Sequence, residues 1–205
     1  MELTLATAGH VLIGDDTGAV PLANEALALA RQTGAPALVA TGLLAVGMAI
    51  AETDPERARA CLRESRETST AHGYQSAIDL VWATAIASRM ADRTATLELG
   101  RGAIRGLRWG GDRLRMGMVI HMITGALAAT RPEAAAIIQG AAEAYVVAPP
   151  PHAAELVESH VPAALGEERA RELRARGATM DWDQAVAYAL TEATQVLNEP
   201  RTGGI

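Results

Sequence analysis

The sequence predicts an all-α protein: a tetratricopeptide-like helical-hairpin solenoid of about four repeats, closed by a C-terminal helical cap. Three observations predict it. First, 49% of the 205 residues are apolar, yet Phe is absent and Trp and Tyr occur three times each. A core of Ala, Leu, Val, Ile and Met favours closely packed helices over sheets. Second, turn segments recur as "GDDTGA" at Asp15, "ETDPERA" at Asp54, "MADRTA" at Asp92 and "ATRPEA" at Arg131, in steps of 39, 38 and 39 residues. A small residue follows each by four positions: Ala19, Ala58, Thr96 and Ala135. Third, Gly34, Gly73 and Gly111 close the intervening helices at steps of 39 and 38, and the next step reaches Pro150. Two marker sets sharing one period are the mark of a helical repeat array. An irregular helical bundle is the alternative.

The elements follow in order. Inner helices are expected over 3–13, 37–52, 75–91 and 113–129, and outer helices over 18–33, 55–72, 94–109 and 132–147. Asp54 caps an outer helix whose first position is Pro55, where the missing N–H costs nothing. Thr130 to Glu133 reads as a capping box. The glycines supply the left-handed residue that ends a helix. Residues 32–51 carry no charge and are long enough to span a bilayer. Pro36, three glycines and many alanines keep their hydrophobicity modest, so a buried helix is expected and no membrane association.

The period stops at the prolines after Ala148. Residues 1–148 are therefore read as repeats, 149–197 as a helical capping module and 198–205 as a disordered tail. Within the module, 152–177 divides into two helices near Leu165-Gly166, and a last helix starts at Asp181 with a capping box to Gln184. Its apolar face carries Ala185, Val186, Ala189, Leu190, Ala193 and Leu197. This module is expected to fold back on the fourth hairpin near Ile137, Ile138 and Ala141.

Charge and chemistry narrow the function. All 18 basic residues are Arg, which points to a high-GC bacterial genome, and the formal net charge is −6. That balance disfavours direct nucleic-acid binding and anionic membranes. One cysteine, Cys61, excludes an internal disulfide and fits a cytoplasmic location. "HAAELVESH" (152–160) suggests a metal site. However, His152 and His160 would lie about 12 Å apart along a helix axis, too far for one ion, whereas H-E-x-x-H spaces its histidines one turn apart. Cys61 has no histidine near it in sequence. The basic cluster of Arg101, Arg105, Arg108, Arg113 and Arg115 reads as a solvated face, with a phosphate site as the alternative. The chain has no lysine and hence no G-x-x-x-x-G-K-[ST] phosphate loop. No catalytic, cofactor-binding or metal-binding residue is assigned, and no enzyme is expected.

"AAAIIQGAAEAY" (134–145), a Pro-rich joint and "LGEERARELRARGATMDWDQAVAYAL" (165–190) resemble the C-terminal end of large bacterial signal-transduction ATPase regulators. These carry an NTPase module, tetratricopeptide-like repeats and, in some members, an adenylate-cyclase-like, LuxR-type or antibiotic-regulatory output domain. The resemblance implies an interaction and sensor region of a signalling or transcriptional regulator, either a fragment or a cut-down relative of one. It carries over no site residue. The expected binding surface is the concave groove lined by inner helices. Leu44, Trp82 and His121 fall there at equivalent positions, with Met48, Met118 and Met122 nearby and Asp79 and Arg89 at the rim. A Met-rich groove suits a protein partner or small effector. A stand-alone adaptor without a small ligand is the alternative, and a homodimer is left open.

Overall fold

Eleven α-helices and no strand make up the secondary structure of the described residues of the computed structural model, which are 2–12, 14–73, 76–145 and 148–199. The helices are α1 (Glu2–Leu12), α2 (Asp16–Thr33), α3 (Pro36–Ile50), α4 (Pro55–Ala71), α5 (Ala77–Arg89), α6 (Arg93–Gly110), α7 (Arg113–Ala128), α8 (Pro132–Glu143), α9 (Pro151–Leu165), α10 (Glu167–Gly177) and α11 (Trp182–Asn198).

Side-chain caps set several starts. Asp15 accepts a hydrogen bond from Gly18 N at 2.9 Å, Asp54 from Arg57 N at 3.1 Å and Asp112 from Arg115 N at 3.1 Å. At α11 both halves of the capping box form: Gln184 N donates to Asp181 at 2.8 Å and Asp181 N to Gln184 at 3.0 Å. The expected box at Thr130 does not form. Thr130 N and Arg131 N both still donate to Leu127 O, so Thr130 belongs to the turn that ends α7. Arg131 takes the cap position without a side-chain cap bond, and Pro132 opens α8. Gly34, Gly73 and Gly111 adopt φ of 66°, 68° and 66°. Each N–H returns to the carbonyl three residues back, at 3.2–3.3 Å. A side chain at these positive φ values would be strained, which is why the same residue type stands at each.

The chain divides into two compact units, Met1–Asp92 and Arg93–Ile205. The division falls between α5 and α6, inside the region 1–148 expected to be one repeat array. Residues 149–198 belong with the second unit. In the first unit α1 packs on α2, α2 on α3 and α3 on α4, while α1 and α5 both lie against α3. That places α3 at the centre, and every residue from Gly42 to Ala51 is buried. The second half of the uncharged stretch is thus the buried part of a core helix, whereas 32–39 holds the exposed end of α2, the turn and the start of α3. No helix of the described residues is long and apolar enough to cross a membrane.

Small residues let these helices approach. A Cβ at Gly42 would lie 3.0 Å from Leu27 Cα. Ala19 and Ala58 are fully buried at 0% exposure. Ala58→Leu is expected to lower stability by about 1–3 kcal/mol through overpacking. An unchanged urea midpoint for this variant would count against a close α3–α4 approach.

In the second unit α6 and α8 pack on α7, and α9 lies against α7 and α8. Thr96 and Ala135 are buried at 1% and 0%, as Ala19 and Ala58 are in the first unit. The C-terminal helices fold back as expected: α10 packs on α8 and α9, and α11 on α6, α7 and α8. The α8–α10 crossing is the tightest. A Cβ at Gly177 would overlap the Ile137 carbonyl, and one at Gly140 would overlap the Arg174 carbonyl. Tyr145, beyond the end of α8, donates to Met180 O at 3.1 Å and meets the Trp182 ring edge-on at 5.1 Å. The outer helix expected to reach 147 ends at Glu143, and Val146 and Val147 lie outside the described residues. Of the tail expected over 198–205, Asn198 closes α11, Glu199 follows it, and 200–205 lie outside the described residues.

Candidate functional site

The eight groove candidates fall into two groups. Leu44, Met48, Asp79, Trp82 and Arg89 belong to the first unit, and Met118, His121 and Met122 to the second. Four are core residues: Leu44, Met48, His121 and Met122 are 2%, 6%, 4% and 2% exposed. They fill space between helices and do not line an open surface. Their helices, α3 and α7, each lie between neighbours on more than one side, so apolar inner positions are covered all round. Asp79, Trp82, Arg89 and Met118 remain half-buried.

Arg89 is not a free rim cation. Its guanidinium lies 2.6 Å from Asp16 and 3.1 Å from Glu52, joining the end of α5 to the start of α2 and the turn after α3. The Arg89 side chain is only 13% exposed, so this is an inward, structural contact. Asp16 Oδ1 and Arg89 Nε are buried without a hydrogen-bond partner among the described residues. Removing the cation leaves two carboxylates facing one another, with Asp16 the more enclosed. Arg89→Met is therefore expected to cost about 2–3 kcal/mol, below the range for fully buried pairs because Glu52 reaches solvent. Urea denaturation checks this, and Arg89→Met combined with Asp16→Asn should recover part of the loss.

Asp79 and Trp82 stand one turn apart on α5, whose flank lies against α3. Burial raises the Asp79 pKa, partly opposed by the Thr41 hydroxyl on α3. A raised carboxyl pKa in the folded state means that folding is penalised once Asp79 ionises. The penalty is absent below the unfolded carboxylate range, about 4, and develops as pH rises through the folded pKa. Asp79→Asn should accordingly stabilise the first unit at neutral pH, with the gain vanishing near pH 4. Thermal melts across that range provide the check, and a gain independent of pH would assign it to another cause.

Elsewhere the chemistry is sparse. His152 and His160 both lie on α9, two turns apart, and among the described residues no three His, Cys, Asp or Glu side chains form a group that could hold a metal ion. Cys61 is buried in α4, and burial pushes its thiol pKa up, away from the thiolate form. Two shallow depressions lie in the second unit, one along α11 at Leu190, Thr194 and Asn198, the other between α8 and α10 at Gly140, Glu143 and Arg174. Neither contains a groove candidate.

The basic cluster is uneven. Arg115 is bonded to Asp112, Arg108 comes within 4.0 Å of Asp183, and Arg105 and Arg113 are exposed. Sequence reasoning passed over Trp109, which is 95% exposed among these arginines. Its only sequence signal is its place beside two glycines at a helix end. The Arg89 partners were also missed, since Asp16 lies 73 residues away.

No protein-family model, no curated protein and no solved structure matches this chain.

Proposed function

We propose that the protein is a non-enzymatic, tetratricopeptide-like helical-repeat domain of about four repeats with a C-terminal cap. In this reading it serves as an interaction or sensor region of a bacterial signalling or transcriptional regulator. One observation supports the repeat reading: several markers at a 38–39-residue step share local structure. Gly34, Gly73 and Gly111 share one backbone conformation, Asp15 and Asp54 make the same cap, and Ala19, Ala58, Thr96 and Ala135 are all buried at 0–1%. The resemblance of 134–145 and 165–190 to the ends of signal-transduction ATPase regulators supports the regulatory assignment. The family's NTPase and output chemistry has no counterpart in these residues.

The binding face in this reading centres on the half-buried inner-helix positions Asp79 and Trp82 of the first unit. The occupant is a protein segment or a small effector. Titration of the isotopically labelled chain with peptide and metabolite pools tests it. Saturable shifts at the Trp82 indole and the Asp79 amide, with the pool recovered chemically unchanged, are the expected result. Binding that leaves both untouched, or conversion of a pool compound, overturns the reading.

A further inference from the structure

The turn between α6 and α7 leaves a large apolar surface in water. Trp109 is 95% exposed and Leu114 is 63% exposed, whereas Trp182 in the same unit is 8% exposed. Gly110 and Gly111 separate them, and a Cβ at either glycine would meet nothing within 4 Å, so the ground beside the indole is open. Arg105 lies one helical turn before Trp109, Arg108 precedes it directly, and Arg113 opens α7; all three are exposed. Arg105 and Arg113 have no ion pair among the described residues, and the carboxylate nearest Arg108, that of Asp183, is 4.0 Å away and itself 81% exposed. A positive, aromatic-centred patch therefore stands on a chain whose net charge is −6.

Neither the helix nor the core explains this arrangement. The apolar face of α6 is satisfied without Trp109: Leu97, Ile104 and Leu107 are 0%, 0% and 4% exposed. Trp and Arg are the residue types most enriched where binding energy concentrates in protein interfaces, an aromatic anchor ringed by charge. We propose that the α6–α7 turn is a docking surface for an acidic segment of a partner protein, with Trp109 and Leu114 seated against its apolar side chains and Arg105, Arg108 and Arg113 paired with its carboxylates. The charge complementarity selects an acidic occupant. A bilayer fits less well, because the α6 positions one and two turns before Trp109 are Gly106, Arg105, Gly102 and Arg101 and continue no apolar stripe, and a membrane would meet the whole, net-negative chain. This surface is independent of the groove centred on Asp79 and Trp82.

Selection of a displayed random dodecapeptide library against the full chain tests the proposal, followed by affinity measurement on synthesised winners. Enriched peptides are expected to combine several Asp or Glu with an aliphatic or aromatic residue. Trp109→Ser should weaken them about 30-fold. Arg105→Gln with Arg108→Gln and Arg113→Gln should weaken them and flatten the salt dependence of binding. Since the Trp109 side chain is almost entirely in water, circular dichroism and melting of Trp109→Ser should match the parent, so lost binding is not lost fold. Enriched peptides that are neutral or basic, acidic peptides indifferent to Trp109→Ser, or no enrichment at all overturn the proposal. Sedimentation with phosphatidylglycerol vesicles serves as the second arm. Trp109-dependent binding there, without an acidic peptide, reassigns the patch to a lipid surface and overturns it equally.

Discussion

A single methyl group at Gly177 is expected to open the seam between α8 and α10. A Cβ there would overlap the main-chain carbonyl of Ile137 and come within 3.0 Å of Ala141 N. Backbone cannot rotate aside as a side chain does, so the helices must separate and lose the contacts made by Ile137, Ala141, Ala170 and Leu173, each 0–3% exposed. Such overpacking costs about 3 kcal/mol. The melting midpoint of the whole chain should fall by about 6–12 °C. Gly140→Ala meets the Arg174 carbonyl from the other helix and should behave alike. The double variant should cost less than the two singles together, since once the seam is open the second methyl meets nothing new. A midpoint within about 1 °C of the parent in both single variants would falsify the close crossing.

Removal of residues 178–205 carries the other large effect. Helix α11 buries Trp182, Ala185, Val186, Ala189, Ala193 and Val196, at 0–8% exposure, against α6, α7 and α8. Trp182 and the two valines alone are worth about 5 kcal/mol of burial. That is comparable to the whole stability of a small domain, about 5–15 kcal/mol. The truncation also removes the carbonyl acceptor of the Tyr145 hydroxyl and the Trp182 ring that Tyr145 meets edge-on. The second unit should lose its dispersed amide spectrum, and the exposed faces of α6–α8 should drive association visible by light scattering. A monodisperse truncated chain that melts like the parent would make α11 a mere appendage.

Local signals were legible in the sequence and distant ones were not. Asp54 before Pro55, Asp181 before Gln184 and the three closing glycines each act within a few residues, so their chemistry can be read without a fold. Buried small residues at Ala19, Ala58, Thr96 and Ala135 followed from the period they share. The box expected at Thr130 failed because Leu127 O holds both following amides, a competition between two ends of adjacent helices. The groove was harder. Met48 and Met122 have the composition of a pliable binding surface and also of a core, and only the neighbours of α3 and α7 decide between them. Trp109 and Trp182 both lie on helices beside charged residues, yet one is solvated and the other enclosed. Nothing local separates them. The division after Asp92 likewise depends on which helices meet, a property of pairs far apart in the chain.

The Arg89 contact also bears on time. Asp16 and Arg89 are 73 residues apart, so their ion pair forms only after α2, α3 and α5 have come together. Contacts of such long sequence separation carry a large loop-closure cost and tend to be won late in folding. Stability added after the transition state appears in the unfolding rate and leaves the refolding rate nearly unchanged. Arg89 is therefore expected to act as a latch on the first unit, with Arg89→Met speeding unfolding and leaving refolding nearly unchanged in stopped-flow denaturant jumps.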